Sequence, residues 1–481
     1  MYSITGGVGR ACVLSITLLT LPACLASRHR IDIEPAVAVP EEWSTPAAGT
    51  QTADRWWEAF NDPTLNQLVE RALAGNLNLQ ASLLRVEQST VLVRQSRSGQ
   101  RPTLDAEFGV NRSRQFVPPP IGSFEQTFFT GSLAASYEID AWGRVRSGVR
   151  AAQSDAQALR HDAEAVAMTL VANVTEAWLD LRFHTMRRQL VERQVATLGV
   201  YRELLTLRLS NGLASAVDVL QQQQQIRGLE SQLPQIDAAM QLSRHRLALL
   251  LGVPASEVAQ LEAEAALPAV MLPEVGVPAD LLLRRPDVMA AEARAAAADW
   301  RVVTAVADRL PTLRLSGNIN VQAPNLLEFF DGFFWRIAAA AAAPVLDGGR
   351  RRAALERARL VREETLVTYG NTLLTAMMEV EDALTQVSQQ DLYLQSLQVE
   401  FDNATQTLTS ATARYQQGVI DYLPMLTAMT SLLQIETTQL QAQRTALTQQ
   451  VSLYRALGGQ WMNEVQRQPL AAETTAQGDD V

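Results

Sequence analysis

The second half of the chain repeats the first half at one fixed offset. Glycines mark three corresponding places, which are Gly143 with Gly349, Gly212 with Gly418, and Gly252 with Gly458. The spacing is the same in each pair (418 − 212 = 206). Because one offset recurs at three separated sites, the chain is an internal duplication, and each copy must fold into the same kind of supersecondary unit.

The seam between the copies lies in a stretch that contains Pro268, Pro273 and Pro278. We therefore place the first repeat at residues 56–270 and the second at residues 271–465. Each repeat is predicted to run helix, two strands, very long helix, tip turn, helix. The predicted strands fall at about 104–142 and 312–346, and the tip turns lie near Gly212 and Gly418.

The long helices are predicted over residues 145–210 and 350–416, each about 100 Å at ~1.5 Å per residue. In the second repeat a large apolar residue returns every seventh position, as at Leu366, Leu373 and Val380, and a smaller row lies three places on, as at Ala376 and Ala383. This is a coiled-coil pattern, and its small row allows neighbouring helices to approach closely. The shorter helices should flank it at 63–98 and 215–250, with a kink or junction at Pro234.

Three of the predicted strands alternate apolar and polar residues, as in the segment from Leu104 to Asn111, whereas the fourth, within 333–346, is alanine-rich and alternates weakly. This pattern suits a sheet with lipid on one face and water on the other, although a half-buried soluble sheet is the alternative. Four strands cannot close a barrel, and an open sheet edge is not tolerated in lipid. We therefore predict a mixed α/β membrane protein in which three copies share a twelve-stranded β-barrel that continues into an α-helical coiled-coil barrel.

Composition excludes several kinds of chemistry. All 41 basic residues are arginine, so lysine-dependent phosphate and Schiff-base chemistry is excluded. The only cysteines are Cys12 and Cys24, and the four histidines are far apart, so no metal-ligand spacing is present. The net charge of −10 argues against a nucleic-acid partner. We expect no enzyme activity, no cofactor and no metal ion, and we interpret the Gln221–Gln225 run as a solvated helical face.

The N-terminus has the pattern of an export signal. One arginine is followed by an apolar run too short to span a bilayer and by Leu21-Pro22-Ala23-Cys24. These four residues resemble a bacterial lipobox, which predicts a signal peptide over 1–23, lipidation of Cys24 and an acylated tether over 24–55. An ordinary signal peptide with an incidental cysteine is the alternative. Residues 466–481 are assigned to a C-terminal tail.

Three motifs, in order on the duplicated frame, resemble the TolC family of outer-membrane channels and its acylated NodT-like branch. They are Trp56-Trp57 with Asp62-Pro63, the run Arg284–Val288, and the run Pro344–Arg350. The resemblance implies a homotrimer in the outer membrane of a Gram-negative bacterium, anchored by lipid at Cys24 and extending into the periplasm. It implies a passive exit duct for small molecules, joined by a periplasmic adaptor to an inner-membrane RND pump.

The resemblance also gives the tip turns a role. Gly212, Leu213, Gly418 and Val419 would contact the adaptor, although each glycine is equally explained as a helix cap. The periplasmic gate candidates are Tyr415, Leu423, Asp421 and Asp218, and Tyr415 also fits a packing role in the heptad row. Thr427 and Thr430 stand where the family commonly carries an acid and an arginine, so we expect a more apolar constriction.

Two other functions remain open. The same fold serves as the outer-membrane channel of a type I protein secretion system, which the acylated branch makes less favoured. A function of a different class is a lipid-anchored periplasmic coiled-coil scaffold, which would lack barrel strands.

Overall fold

The computed structural model describes residues 37–44, 55–120, 122–268, 277–278, 284–330 and 332–458. The signal sequence, Cys24 and the C-terminal tail lie outside these residues. After a 3-10 turn at Trp56–Phe60, the elements follow the order α1 (Pro63–Gly75), α2 (Leu77–Ser98), β1 (Thr103–Val117), β2 (Gly122–Ile139), α3 (Arg144–Ser210), α4 (Ala216–Glu230), α5 (Leu233–Leu251), α6 (Ala255–Val258), α7 (Pro286–Ala307), β3 (Thr312–Ala323), β4 (Phe333–Ala342), α8 (Arg350–Gln416) and α9 (Tyr422–Leu457).

The chain divides into two bodies. Residues 94–151 and 298–360 form a body built on the sheet, and the described residues of 33–93, 152–297 and 361–458 form a helical body. The long helices α3 and α8 have 67 residues each. Their equal length, at the corresponding place in each repeat, agrees with the duplication in the sequence.

The flanking helices of the first repeat are each broken in two. Asn76 separates α1 from α2 in an extended conformation, and its side-chain oxygen accepts a hydrogen bond from the Leu79 backbone N–H. Ser231 and Gln232 separate α4 from α5, and Pro234 lies in the first turn of α5, where its missing N–H costs nothing. The corresponding helix of the second repeat, α9, is continuous over 36 residues.

The four strands form one antiparallel sheet in the order β1-β2-β3-β4. The register aligns residues of one parity across all four strands, as in the row Ala106, Leu133, Ile319 and Trp335. Within the described residues, β1 and β4 each pair with a single strand, so each has one unpaired edge. The helices leave the sheet at one end, and the β1–β2 and β3–β4 hairpin turns lie at the other.

The core of the helical body is assembled from both repeats. Its largest cluster joins the 3-10 turn, α1, the middle of α3 and the ends of α5 and α9, and Trp56 stacks on Tyr454 with ring centroids 5.1 Å apart. Within it, Asp62 caps α1 through the N–H groups of Thr64 and Leu65. Its second carboxylate oxygen accepts hydrogen bonds from Trp178 and Arg182.

A short part of the predicted tether packs on the helical body. Val37, Val39 and Trp43 contact the apolar cluster formed by α7, α8 and α9. Both the backbone N–H and the hydroxyl of Ser44 donate to Glu381 Oε1, at 2.7 and 2.9 Å. Residues 37–44 are therefore packed against the second repeat.

None of the described helices combines the length and the apolar character that a membrane-spanning helix requires.

Candidate functional site

The turns at the two hairpin tips have the same backbone structure. Gly212 N–H donates to the Leu209 carbonyl and Leu213 N–H to the Arg208 carbonyl, and the corresponding residues of the second repeat, Gly418 and Val419, make the same two bonds. This pair of bonds is a Schellman motif, which satisfies the last carbonyls of a helix. Both long helices therefore end in the same way.

Backbone conformation explains why both turns carry glycine. Gly212 and Gly418 have φ angles of 74° and 75°, in the left-handed region. No described atom lies within 4 Å of the position that a Cβ would occupy at either residue. Glycine is thus required at the tips by the φ angle and not by a close neighbour, which is the cap interpretation of these residues.

The first tip is closed by a capping box. Ser215 Oγ accepts from the Val217 N–H at 3.1 Å, and the Asp218 carboxylate accepts from the Ser215 N–H at 2.9 Å. Asp218, a gate candidate, therefore fastens the start of α4. Such a carboxylate also lies favourably at the positive end of the helix dipole.

Among the described residues, the start of α9 at the second tip lacks the side-chain cap that α4 has at the first tip. Asp421 is exposed at the N-cap position of α9, and among the described residues its carboxylate accepts no capping hydrogen bond. Leu423 is 58% exposed in the first turn of α9. The hydroxyls of Thr427 and Thr430 donate to the carbonyls of Leu423 and Thr427 in their own helix. The gate candidates of this tip therefore present one carboxylate and one apolar side chain to the outside.

Tyr415, also a gate candidate, is instead buried in a small core at the tips. It is 5% exposed and lies edge-to-face against Tyr422, with ring centroids 5.8 Å apart. The Arg208 guanidinium lies over the Tyr415 ring at 4.4 Å, and Leu205 and Met425 complete the cluster. Burial raises the pKa of Tyr415, so the hydroxyl is neutral at physiological pH.

Two successive hydrogen bonds between buried groups join the two hairpins. Tyr422 Oη donates to Gln222 Oε1 at 2.5 Å, and Gln222 Nε2 donates to the Leu198 carbonyl at 2.8 Å. Burial also raises the pKa of Tyr422. The expectation of a solvated Gln221–Gln225 face is wrong at Gln222, which is fully buried. The spacing of Gln222 with buried Ile226 and Leu229 indicates this, because residues four and seven places apart share a helix face.

Apolar side chains remain exposed around both tips. They include Leu213 and Val217 after the first turn, and Val419 and Leu423 after the second. These exposed apolar groups occupy corresponding positions in the two repeats, because 213 and 217 lie one offset of 206 before 419 and 423.

The sheet has one apolar face. Its rows of aligned residues run from Ile139, Leu313 and Ala341 at the helical end to Val110, Phe129 and Ala323 toward the hairpins. On β2 these rows extend over the ten residue steps from Phe129 to Ile139, or about 34 Å along the strand. At a tilt of 35–45° this projects to about 24–28 Å, close to the ~25 Å apolar band of outer-membrane proteins. Many of its large side chains, including Phe108 and Trp335, are more than half exposed.

The described residues contain no group of three or more His, Cys, Asp or Glu side chains arranged to hold a metal ion.

Known proteins are similar to this chain in sequence and in fold over nearly its whole length. A family model described as outer membrane efflux protein matches residues 68–253 and 277–459. The chain is 31% identical over 464 residues to the pyoverdine export outer membrane protein OpmQ of Pseudomonas putida, a match that covers 94% of this chain and 97% of that protein. It is 31% identical over 455 residues to the toluene efflux pump outer membrane protein TtgF of Pseudomonas putida, covering 90% and 92%. The solved structure of the outer-membrane channel OprN is similar with a TM-score of 0.82 at 26% identity, covering 90% of this chain and 99% of that one.

Proposed function

Because this chain belongs to the outer membrane efflux protein family, we propose that it is the outer-membrane channel of a tripartite efflux system. In this proposal a homotrimer receives small molecules from an inner-membrane RND pump through a periplasmic adaptor and conducts them passively across the outer membrane. Relatives named for pyoverdine export and toluene efflux support small molecules as the cargo class.

The single observation that carries the proposal is the four-stranded sheet with one apolar face and two open edges. In lipid, the unpaired backbone groups of β1 and β4 require partners, because no water is present to bind them. Pairing β1 of one copy with β4 of the next satisfies both edges. Three copies then give twelve strands, within the range of known barrels.

The tip turns supply the contact with the adaptor. Gly212 and Gly418 form the turns, and Leu213 and Val419 present apolar side chains beside them. The identical Schellman motifs support a repeated docking surface, which appears six times around a trimer.

The gate lies at the second tip. Leu423 is the apolar constriction in this proposal, and Asp421 contributes a ring of exposed carboxylates next to it. Asp218 and Tyr415 support the tips by capping α4 and filling the tip core. Thr427 and Thr430 satisfy their hydroxyls within their own helix, which supports a constriction without a salt-bridge lock.

The N-terminus anchors the channel in the outer membrane. Cys24 carries the lipid in this proposal, and the packing of residues 37–44 on the helical body supports a tether that follows the protein surface.

Deletion of the gene tests the function. Intracellular accumulation of a fluorescent efflux dye should rise in the deletion strain and return to normal on complementation with the wild-type gene. Unchanged accumulation together with a changed secreted proteome would instead assign the channel to protein secretion. Mobility on SDS gels with and without boiling separates a channel from a scaffold, because a shared barrel resists SDS until it is boiled.

Single-channel recording tests the gate. Leu423→Ala should increase the conductance of the closed channel, because it removes apolar bulk from the constriction. Leu213→Ala, at the other tip, is the matched control and should leave conductance unchanged. No increase with Leu423→Ala would remove Leu423 as the gate.

A further inference from the structure

Two arginines lie on the apolar face of the sheet just beyond its apolar rows. Arg112 and Arg114 share the parity of Phe108 and Val110 on β1, one and two rows beyond the row of Val110 and Phe129, and Phe116 follows them on the same face. Each row adds about 7 Å along the strand, or about 5 Å of height at the tilt of a barrel strand. Because the hairpin turns lie opposite the helices, both guanidiniums stand at the outer edge of the apolar band.

The two arginines share a single carboxylate. Glu125, on the neighbouring strand, is 2.8 Å from Arg112 and 3.9 Å from Arg114, so one carboxylate serves two guanidiniums. Both arginine side chains are at least 70% exposed. Exposed ion pairs of this kind are worth little, so the guanidiniums are available to a stronger anionic partner.

The β3–β4 loop folds back onto the same face. A Cβ on Gly131 would lie 2.7 Å from the ring of Phe329. The ring therefore fills the space that the missing side chain leaves between the apolar residues of β1 and β3. Asn325 holds the loop through the backbone N–H and the carboxylate of Glu328.

The loop presents a bare apolar apex. Leu326, Leu327 and Phe330 are 68%, 96% and 81% exposed. The loop begins after Ala323, which pairs with Phe129 on β2, and the next row of β2 carries Thr127, the partner of Arg112. The apolar apex and the arginines are therefore neighbours on one rim.

We propose that this rim binds the phosphorylated, acylated glucosamine lipid of the outer leaflet. Guanidinium groups bind phosphate in a bidentate manner, and Arg112 and Arg114 lie at the height of the lipid phosphates. The acyl chains then cover Leu326, Leu327 and Phe330. A surface that combines two exposed guanidiniums with apolar groups at one edge of an apolar band matches the phosphates and the amphipathic order of this lipid. The inference rests on the outer-membrane placement proposed above and names the lipid class that the sheet recognises.

Lipid retention by the full-length protein tests the proposal. Protein purified in mild detergent is incubated with lipid A, with enzymatically dephosphorylated lipid A, or with phosphatidylglycerol, and bound lipid is counted by native mass spectrometry. The wild type should bind lipid A at least tenfold more tightly than either of the other lipids. The double variant Arg112→Ala, Arg114→Ala should lose about tenfold or more of this affinity, because two charge-assisted contacts are removed.

A matched control removes the same charge elsewhere. Arg193 and Arg202 are exposed on α3, and their double alanine variant should bind lipid A as the wild type does. Phe330→Ser should weaken binding of lipid A while leaving its preference for the phosphorylated form. Equal binding of lipid A by the wild type and the Arg112/Arg114 variant, or equal binding of phosphatidylglycerol and lipid A, would overturn the proposal.

Efflux separates this inference from the proposed function. The Arg112/Arg114 variant should keep its SDS resistance and its dye efflux, since neither arginine lies at the tips. Loss of lipid A binding with retained efflux supports both proposals, whereas retained lipid A binding with retained efflux overturns only this one.

Discussion

In each repeat, a side chain near the start of the unit donates a hydrogen bond to a backbone carbonyl near its end. The carbonyls occupy corresponding positions, but the donating side chains differ. In the first repeat, Asn76 Nδ2 donates to the Leu250 carbonyl at 2.9 Å. In the second, Arg285 Nη1 donates to the Ala456 carbonyl at 3.1 Å, and Ala456 lies one repeat offset after Leu250. A neutral amide and a buried guanidinium therefore perform the same task.

The backbone around these contacts is fixed more tightly than the side chains. A Cβ on Gly252 would lie 2.2 Å from the Gly75 carbonyl oxygen, and a Cβ on Gly458 would lie 2.6 Å from the Arg284 carbonyl oxygen. Arg285 adds ion pairs with Asp287 at 2.6 Å and Glu379 at 2.7 Å. The close approach of two backbones therefore constrains both repeats, whereas the polar group beside it differs between them.

The largest difference in stability between the repeats should appear when the side chain that joins the start of each repeat to its end, Asn76 or Arg285, is removed. Arg285→Ala should lower the free energy of unfolding by about 2–4 kcal/mol, because it leaves the Ala456 carbonyl without its donor and removes the cation from two part-exposed carboxylates. Asn76→Ala should cost about 1–3 kcal/mol, because only neutral hydrogen bonds are lost. Urea titration of the helical circular dichroism signal in detergent measures both. Equal losses of stability would show that the charge of Arg285 adds nothing to the free energy of unfolding.

The buried link between the hairpins should cost less. Tyr422→Phe leaves Gln222 Oε1 without its donor and should lower stability by about 1–3 kcal/mol. Because burial raises the pKa of Tyr422 in the folded state, the stability that it contributes is complete below the unfolded pKa of about 10 and is lost as the pH rises toward the folded value. The wild type should therefore lose more stability between pH 9 and pH 11 than Tyr422→Phe does. Identical losses, measured as urea midpoints at the two pH values, would contradict this account.

The tip glycines should behave alike in the two repeats. Gly212→Ala and Gly418→Ala should each cost about 1–2 kcal/mol, because alanine is strained at positive φ and no described atom crowds either position. Thermal dissociation of the SDS-resistant assembly compares them. A much larger cost at one tip would break the equivalence of the two turns. Loss of efflux without loss of stability would instead point to adaptor contact.

The smallest effects should come from the tip carboxylates. Asp218→Asn weakens the capping box of α4 and should cost about 0.5–1 kcal/mol, whereas Asp421→Asn should leave stability unchanged. Dye efflux is the second measurement, because Asp421 is proposed to face the gate. A stability loss with Asp421→Asn would mean that its carboxylate holds the helix after all.

Sequence spacing was sufficient to predict the long helices and the strands. Heptad rows and alternation are local patterns, and the helices at Arg144–Ser210 and Arg350–Gln416 begin and end within one residue of the predicted bounds. Pro234 predicted a helix junction for the equally local reason that it lacks an N–H.

Features made by distant contacts were not predictable from the sequence. The break at Asn76 has a local signal, a glycine followed by an asparagine that caps α2, but its bond to a carbonyl 174 residues away has none. Composition predicts an exposed face for Gln222, and its spacing from Ile226 and Leu229 indicates a buried one, but no pattern identifies its partner Tyr422 in the other hairpin. Tyr415 and Leu423 are gate candidates by resemblance, and only their surroundings distinguish buried Tyr415 from exposed Leu423.

The self-closure of each repeat at Gly252 and Gly458 has a consequence for how a ring of such units is assembled. Each repeat carries two strands and one helical hairpin, so a twelve-stranded ring of single repeats needs six chains, whereas the tandem chain needs three. Because two repeats are joined covalently, every second contact between neighbouring repeats in the ring forms within one chain. Such contacts do not depend on the protein concentration. The covalent joining also permits alternation around the ring, so that Leu423 and Asp421 recur at three of six positions while the other three keep the Ser215 capping box. Six identical chains would have to place the same tip at all six.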